Sequence, residues 1–167
     1  MWLFAFAILL IVVIEAMTFA GLIGGLVGGD GGDGTATAGP TPVDGVGTGE
    51  ELLPATDRTE TLTTATLSSG DRWTLTLTVA VENTGDTPYE LRLGAVTTVG
   101  GASYDPRSDA TTGTVAPGES ATVTAQWRVP SGSTPNFVAV TAVEGSGGAT
   151  TTVFDDDVAI ARVPVQG

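Results

Sequence analysis

The stretch WTLTLTVAVE at residues 73–82 decides the fold class of this chain. Apolar residues fall at every second position, and threonine fills most of the positions between them. Because successive side chains of a strand point to opposite faces, this alternation predicts a β-strand with one buried face. The stretch TVTAQWRV at residues 122–129 alternates in the same way. Trp73 and Trp127 both fall on the inward positions, so we expect them in the core and not on a sugar-binding platform.

Turn signals divide the rest of the C-terminal region into further short strands. Clusters of Pro, Gly, Asn and Asp separate runs that are rich in Val, Thr, Leu and Tyr. We expect these additional strands at 59–67, 89–96, 137–143, 149–154 and 158–165. About seven short strands with this spacing predict a mostly β fold, a single β-sandwich over residues 52–167.

Two turns flank the most regular strands. ENTGD at residues 82–86 ends the first strand, with Asn able to bond its own backbone and Gly free to adopt positive φ. APGES at residues 116–120 opens the second, with Pro setting φ at one turn position and Gly tolerating the next.

A family resemblance rests on these turns and their flanking strands. VAVENTGD at 79–86, VAPGESATVT at 115–124 and WRVP at 127–130 resemble CARDB-type and related immunoglobulin-like surface modules of exported archaeal proteins. The resemblance covers about residues 70 to 145. It implies an immunoglobulin-like sandwich that serves as an adhesion, spacer or scaffold module without an active site.

Residues 1–27 are almost entirely apolar, and Glu15 is their only charge. A hydrocarbon core needs about 20 such residues in a helix, so we predict one transmembrane helix that acts as a signal anchor. The alternative is a signal peptide cleaved before Gly21, but its n-region would lack a cation and its apolar run would exceed an ordinary h-region. We therefore expect a single-pass protein of the cell membrane, in contact with lipid through residues 1–27.

Residues 28–51 are rich in Gly, Pro, Thr and Asp and contain almost no large apolar side chain. Such a stretch cannot offset its ordering entropy by burial, so it is interpreted as a flexible linker. The predicted organisation is a helix at 1–27, a linker at 28–51 and an extracytoplasmic sandwich at 52–167.

The helix itself carries a possible association site. A carboxyl such as Glu15 inside the bilayer is costly and usually meets a partner, a cavity or a proton path. Gly21 and Gly25 stand four residues apart, which allows a second helix to approach closely. Self-association or a protein partner through this helix is one hypothesis, and the alternative is that these glycines begin the linker.

Composition removes several classes of chemistry. The 167 residues include no Cys, His or Lys, and six Arg accompany nineteen Asp and Glu, for a formal charge of −13. Imidazole and thiolate metal sites, Schiff-base lysines and His-dependent triads are therefore excluded. The charge opposes binding to phosphate backbones, so we expect no nucleic acid partner. The acidity arises from the absence of Lys, which is typical of halophilic archaea, with a GC-rich actinobacterium as the competing source.

The densest charge cluster is Asp155, Asp156 and Asp157. With Glu144 or Asp86 it would offer oxygen ligands of the kind that calcium prefers, and calcium is the one cofactor considered. The alternative is a solvated acidic turn between two strands. Residues 104–109 fill the longest break between strands and are a second candidate for recognition.

These observations favour a binding, adhesion or structural role at the cell surface, with a surface protein or glycan as the partner. The alternative is a small accessory subunit of a membrane complex, recognised through the helix that contains Glu15. No pair of carboxylates is placed for catalysis by the pattern, so we expect no enzyme activity.

Overall fold

The structure is a computed structural model, and it describes residues 45–146 and 149–167. The predicted transmembrane helix and most of the predicted linker lie outside these residues. Within the two described ranges there is no helix of the length and apolarity that a membrane crossing requires.

Eight strands account for most of the described chain. They are β1 (Thr59–Ser68), β2 (Arg72–Glu82), β3 (Tyr89–Thr98), β4 (Ser103–Tyr104), β5 (Ser120–Pro130), β6 (Pro135–Ser146), β7 (Ala149–Ala159) and β8 (Val165–Gln166). They form two four-stranded sheets, ordered β5-β2-β1-β8 and β4-β3-β6-β7. All pairings are antiparallel except that of β1 with β8. The predicted mostly β fold is confirmed.

Strand β2 organises the first sheet because it pairs along its whole length with β5 and with most of β1. Between residues 75 and 81 its inward side chains are fully buried, and its outward ones are two threonines and an alanine. The inward residues of β2 are Leu75, Leu77, Val79 and Val81. The alternation in the sequence therefore correctly predicts which face of β2 is turned toward the core.

One hydrophobic core joins the two sheets, with buried side chains from both. Trp127 on β5 is completely buried, and its indole Nε1 donates a hydrogen bond of 3.0 Å to the carbonyl of Gly94 on β3. Trp73 is half-buried and packs against the same core. The inward placement predicted for both tryptophans is confirmed.

The acidic stretch at residues 155–157 lies inside strand β7, so its interpretation as a turn between two strands is wrong. Asp155, Asp156 and Asp157 pair with Thr141, Val140 and Ala139 of β6. A strand can carry these charges because β7 is at the edge of its sheet, where side chains on both faces reach water. Of the strand predicted at 158–165, only its two ends are in strands.

Residues 45–58, which we call the leading segment, pack against the sandwich. Val46 donates to the carbonyl of Ala159 at 2.9 Å and accepts from the amide of Ala161 at 3.0 Å. Leu52 and Leu53 are buried in the core. Residues 45–51, which composition assigns to the linker, thus hydrogen-bond to the strands and to the residues around them.

Candidate functional site

A set of buried and half-buried polar side chains lies at one end of the sandwich, where the leading segment meets the turn between β2 and β3. Burial of so many polar groups requires mutual hydrogen bonds, because unpaired ones are costly. We call this set the end cluster. It consists of Thr56, Arg58, Glu60, Asn83, Thr87, Tyr89 and Glu144.

Glu60 is the centre of the end cluster and has no exposed surface. It lies on β1 opposite Val81, in the inward phase of the strand. The hydroxyl of Tyr89 donates to its Oε1 at 2.5 Å, and the hydroxyl of Thr56 donates to its Oε2 at 2.8 Å. Burial raises the pKa of Glu60 above its ordinary value, although both hydrogen bonds oppose this shift. Burial also raises the pKa of Tyr89, and its bond to Glu60 adds to the rise.

Arg58 connects the leading segment to β6 and to the start of β3. Its guanidinium is 2.8 Å from Glu144 Oε1, donates to the hydroxyl of Thr87 at 3.1 Å and lies 5.6 Å from the centre of the Tyr89 ring. A side chain on Gly85 would occupy the place of the guanidinium. Gly85 is therefore needed for close packing and not, as its turn motif suggested, for a positive φ, since it has none.

Asn83 holds the turn that carries Gly85 and Thr87. Its amide nitrogen donates to the carbonyls of Thr87 at 2.8 Å and Val115 at 2.9 Å, and its side-chain oxygen accepts from the Gly85 amide at 3.2 Å. The last bond confirms the prediction that Asn bonds its own turn. Gly118 in the second turn has φ of 76°, as its motif predicts.

The geometry of the end cluster suits fastening better than substrate chemistry. Glu60 and Tyr89 are each at most 1% exposed, and they bond to one another. Arg58 bridges to Glu144, which lies on β6 of the other sheet. The cluster therefore connects the leading segment to strands of both sheets at a buried point.

The acidic cluster is arranged differently from a converging ligand set. Asp155 and Asp157 lie opposite Thr141 and Ala139 on the outer face of the sheet, whereas Asp156 lies opposite Val140 on the core-facing side. The Thr141 hydroxyl donates to Asp155 at 3.0 Å. In residues 45–146 and 149–167 no group of three such side chains is placed to hold a metal ion. Calcium binding here stays a prediction.

Three shallow surface depressions are further candidates for a binding site. An apolar groove of about 500 Å³ lies between the leading segment and β7, lined by Leu52, Leu53 and Phe154 among others. A cleft of about 540 Å³ beside residues 106–111 contains the ion pair of Glu90 and Arg92 at 2.7 Å. The hydrogen bond from Arg92, with a second from a threonine, lowers the pKa of Glu90. Arg72 and Arg128 flank the third, of about 380 Å³.

Sequence reasoning missed Arg58, Glu60 and Tyr89. A signal for two of them was present, because Glu60 shares the inward phase with Leu62 and Tyr89 shares it with Leu91. A carboxylate in the buried phase of a strand needs a buried donor. The predicted association residues Glu15, Gly21 and Gly25 lie outside the described residues.

Comparison with known proteins returns no match to a family model, to a curated protein or to a solved structure. The resemblance to CARDB-type modules therefore stays a prediction.

Proposed function

We propose that this chain is a membrane-anchored extracytoplasmic module with a binding, adhesion or structural role at the cell surface. The observation that carries the proposal is the fastening of the leading segment. Any tether that precedes Gly45 pulls on this segment. Val46 and Arg58 attach it to β7 and β6 of one sheet, and Thr56 attaches it to Glu60 on β1 of the other. Such an attachment suits a domain that is held by its N-terminal side.

The strand order supports an immunoglobulin-like assignment for the sandwich. If β1, β2, β3 and β4 are lettered A, B, C and C′, and β5, β6 and β7 are lettered E, F and G, the sheets are ordered E-B-A and C′-C-F-G, and the two-residue strand β8 is added beside A. Immunoglobulin-like domains place the same strands in the same sheets. The buried tryptophan here is on β5 instead of strand C, and the chain has no cysteine pair. The kinship with CARDB-type modules is proposed on this topology and the turn motifs.

A binding role is proposed over a catalytic one because of where the perturbed groups lie. Burial raises the pKa values of Glu60 and Tyr89, yet both are sealed from solvent and bonded to each other. Glu90 and Arg92, in the second cleft, also have shifted pKa values, but the shifts come from their own ion pair, as in a structural salt bridge. Catalytic groups need access to a substrate. The exposed clefts, in contrast, are shallow and suited to contact with another surface.

Membrane fractionation tests the anchoring. The full chain should stay with membranes after an alkaline wash, whereas a chain that begins at Gly28 should be released. Recovery of a soluble mature protein that begins near Gly21 would show that residues 1–20 are a signal peptide and that the anchored module is wrong.

The accessory subunit is kept as a second candidate because Glu15 is the only charge in the apolar stretch. Recovery from gently solubilised membranes separates the two. A stoichiometric membrane partner that is lost in Glu15→Leu favours the subunit, and capture of a surface-layer component that is kept in this variant favours the module.

A further inference from the structure

The outer face of the sheet β5-β2-β1 differs from the rest of this acidic molecule. Its outward positions alternate with the core residues and are mostly threonines, so that Thr64, Thr78 and Thr124 stand side by side across the three strands. The hydroxyls of Thr78 and Thr124 are 3.1 Å apart. We call the outward-facing residues of β1, β2 and β5 the threonine face.

Charge lies at the two ends of the threonine face, with opposite sign. Arg72 and Arg128 are exposed at one end, beside Asp71 in the cleft described above. Glu82 is exposed at the other end and is the only carboxylate among the outward-facing residues of these three strands. Neither arginine takes part in a salt bridge within the described part of the chain.

This arrangement is complementary to itself. Arg72 and Glu82 are the first and last residues of β2, so roughly 33 Å separates them and the midpoint falls between Thr76 and Thr78. Consider a twofold axis that lies parallel to the face and runs perpendicular to the strands through this midpoint. Rotation about it places a second copy over the face with its strands in the opposite direction. Each Arg72 then stands over the Glu82 of the other copy.

We propose that a second copy of this chain binds the threonine face, antiparallel and face to face, with Arg72 of each copy paired to Glu82 of the other. A symmetric dimer requires a surface that complements itself, and this face does so in charge. Small threonine side chains allow two sheets to pack at the usual distance of about 10 Å. The other strand faces and loops hold most of the carboxylates, so approach through them is repulsive.

The contact is small and therefore weak in dilute solution. Three strands at about 4.8 Å spacing and a length of roughly 33 Å give about 500 Å² per copy, below the roughly 800 Å² of a standard interface. Tethering to one membrane raises the local concentration of copies and compensates for a weak contact. In this respect alone the inference rests on the proposed function.

Charge reversal tests the pairing in the full chain, reconstituted into lipid vesicles as two versions that carry different fluorescent labels. One variant carries Arg72→Glu with Arg128→Glu, and the other carries Glu82→Arg. Each alone should lose self-association by at least about tenfold, because like charges then meet at both ends. An equimolar mixture should recover association between the two variants, since opposite charges meet again at both ends. Energy transfer between the two labels in the vesicles measures both results.

Matched controls reverse exposed charges elsewhere: Arg107→Glu with Arg162→Glu, and Asp105→Arg. These variants have the same net charges and should associate like the parent. Equal association in every combination, as the transmembrane helix would give, overturns the proposal. So does a loss with the arginine reversals alone, because an acidic ligand or polymer would then be their partner. Membrane retention should be the same in all variants, so failure of the dimer is distinct from failure of the anchoring.

Discussion

At the scale of single residues, Gly85 shows how a turn glycine can serve packing instead of backbone conformation. Gly85→Ala places a methyl group where the Arg58 guanidinium lies, so the buried cation, which pairs with Glu144, must shift from its present position. We expect a loss of about 1 to 3 kcal/mol in the free energy of unfolding. Denaturant unfolding measures it, with Gly100→Ala as the control. A Cβ at Gly100 meets only the Thr98 hydroxyl, at 4.0 Å, so this variant should stay within about 0.5 kcal/mol of the parent.

Glu60 should lower the free energy of unfolding as pH rises, which is opposite to the effect of a carboxyl group whose pKa is depressed by folding. Its pKa is raised in the folded state, so the folded protein retains a proton that the unfolded chain has released. Its contribution is fully present below the unfolded pKa of about 4.5 and is lost as pH rises through the folded pKa. In Glu60→Gln, whose amide retains a hydrogen-bonding oxygen for Tyr89, this part of the pH dependence should disappear.

The measurement is the difference in unfolding free energy between the parent and Glu60→Gln at several pH values from about 4 to 8. The free energy of unfolding of Glu60→Gln should increase relative to that of the parent as pH rises. Glu119→Gln, at an exposed turn position, is the control and should run parallel to the parent. Parallel curves for Glu60→Gln as well would show that the buried carboxyl does not retain its proton.

At the scale of the strand, β7 protects an open edge. Asp156 lies on the core-facing side of β7, between Phe154 and Val158, which both pack against the core. An inward-pointing charge on an edge strand prevents pairing with another molecule. We expect Asp156→Val to aggregate faster than the parent, since it joins two apolar residues into one strip beside an apolar groove.

Asp157→Val is the matched control, because it removes the same charge from the opposite face of the same strand. Light scattering at fixed salt and protein concentration compares the two. If both variants aggregate at the same rate, net charge protects the edge and the direction of Asp156 is irrelevant.

At the scale of the whole molecule, charge balance governs stability. Nineteen carboxylates meet only six cations, which leaves a formal charge of −13, and two of the cations form salt bridges within the described residues. Self-repulsion should therefore destabilise the fold at low ionic strength. We expect the melting temperature of the chain to rise steadily from about 0.1 M to 3 M KCl, as the Debye length falls from about 10 Å to 3 Å and below.

A variant with Asp155→Asn, Asp156→Asn and Asp157→Asn supplies the comparison for the salt series. It carries three fewer negative charges, so its melting temperature should rise less steeply with salt. If the melting temperature of the parent does not change across this range of KCl concentration, self-repulsion does not determine its stability.

The sequence alone determined the strands whose pattern is local. The alternation around Trp73 and Trp127 sets which side chains are buried, because the two faces of a strand follow from the backbone itself. Asn83 and Gly118 likewise fixed their turns through bonds and angles that span a few residues. These features need no knowledge of what lies across the core.

Only the tertiary structure decided which distant groups meet. Arg58 reaches Glu144 and Glu60 reaches Tyr89 because the packing of two sheets brings the start of β1 against β3 and β6. The acidic stretch at residues 155–157 is a strand for the same reason, since pairing with β6 outweighs a local preference for a turn. Register between strands that are distant in sequence, such as β3 and β6, depends on the whole fold, because no short turn joins them to set it.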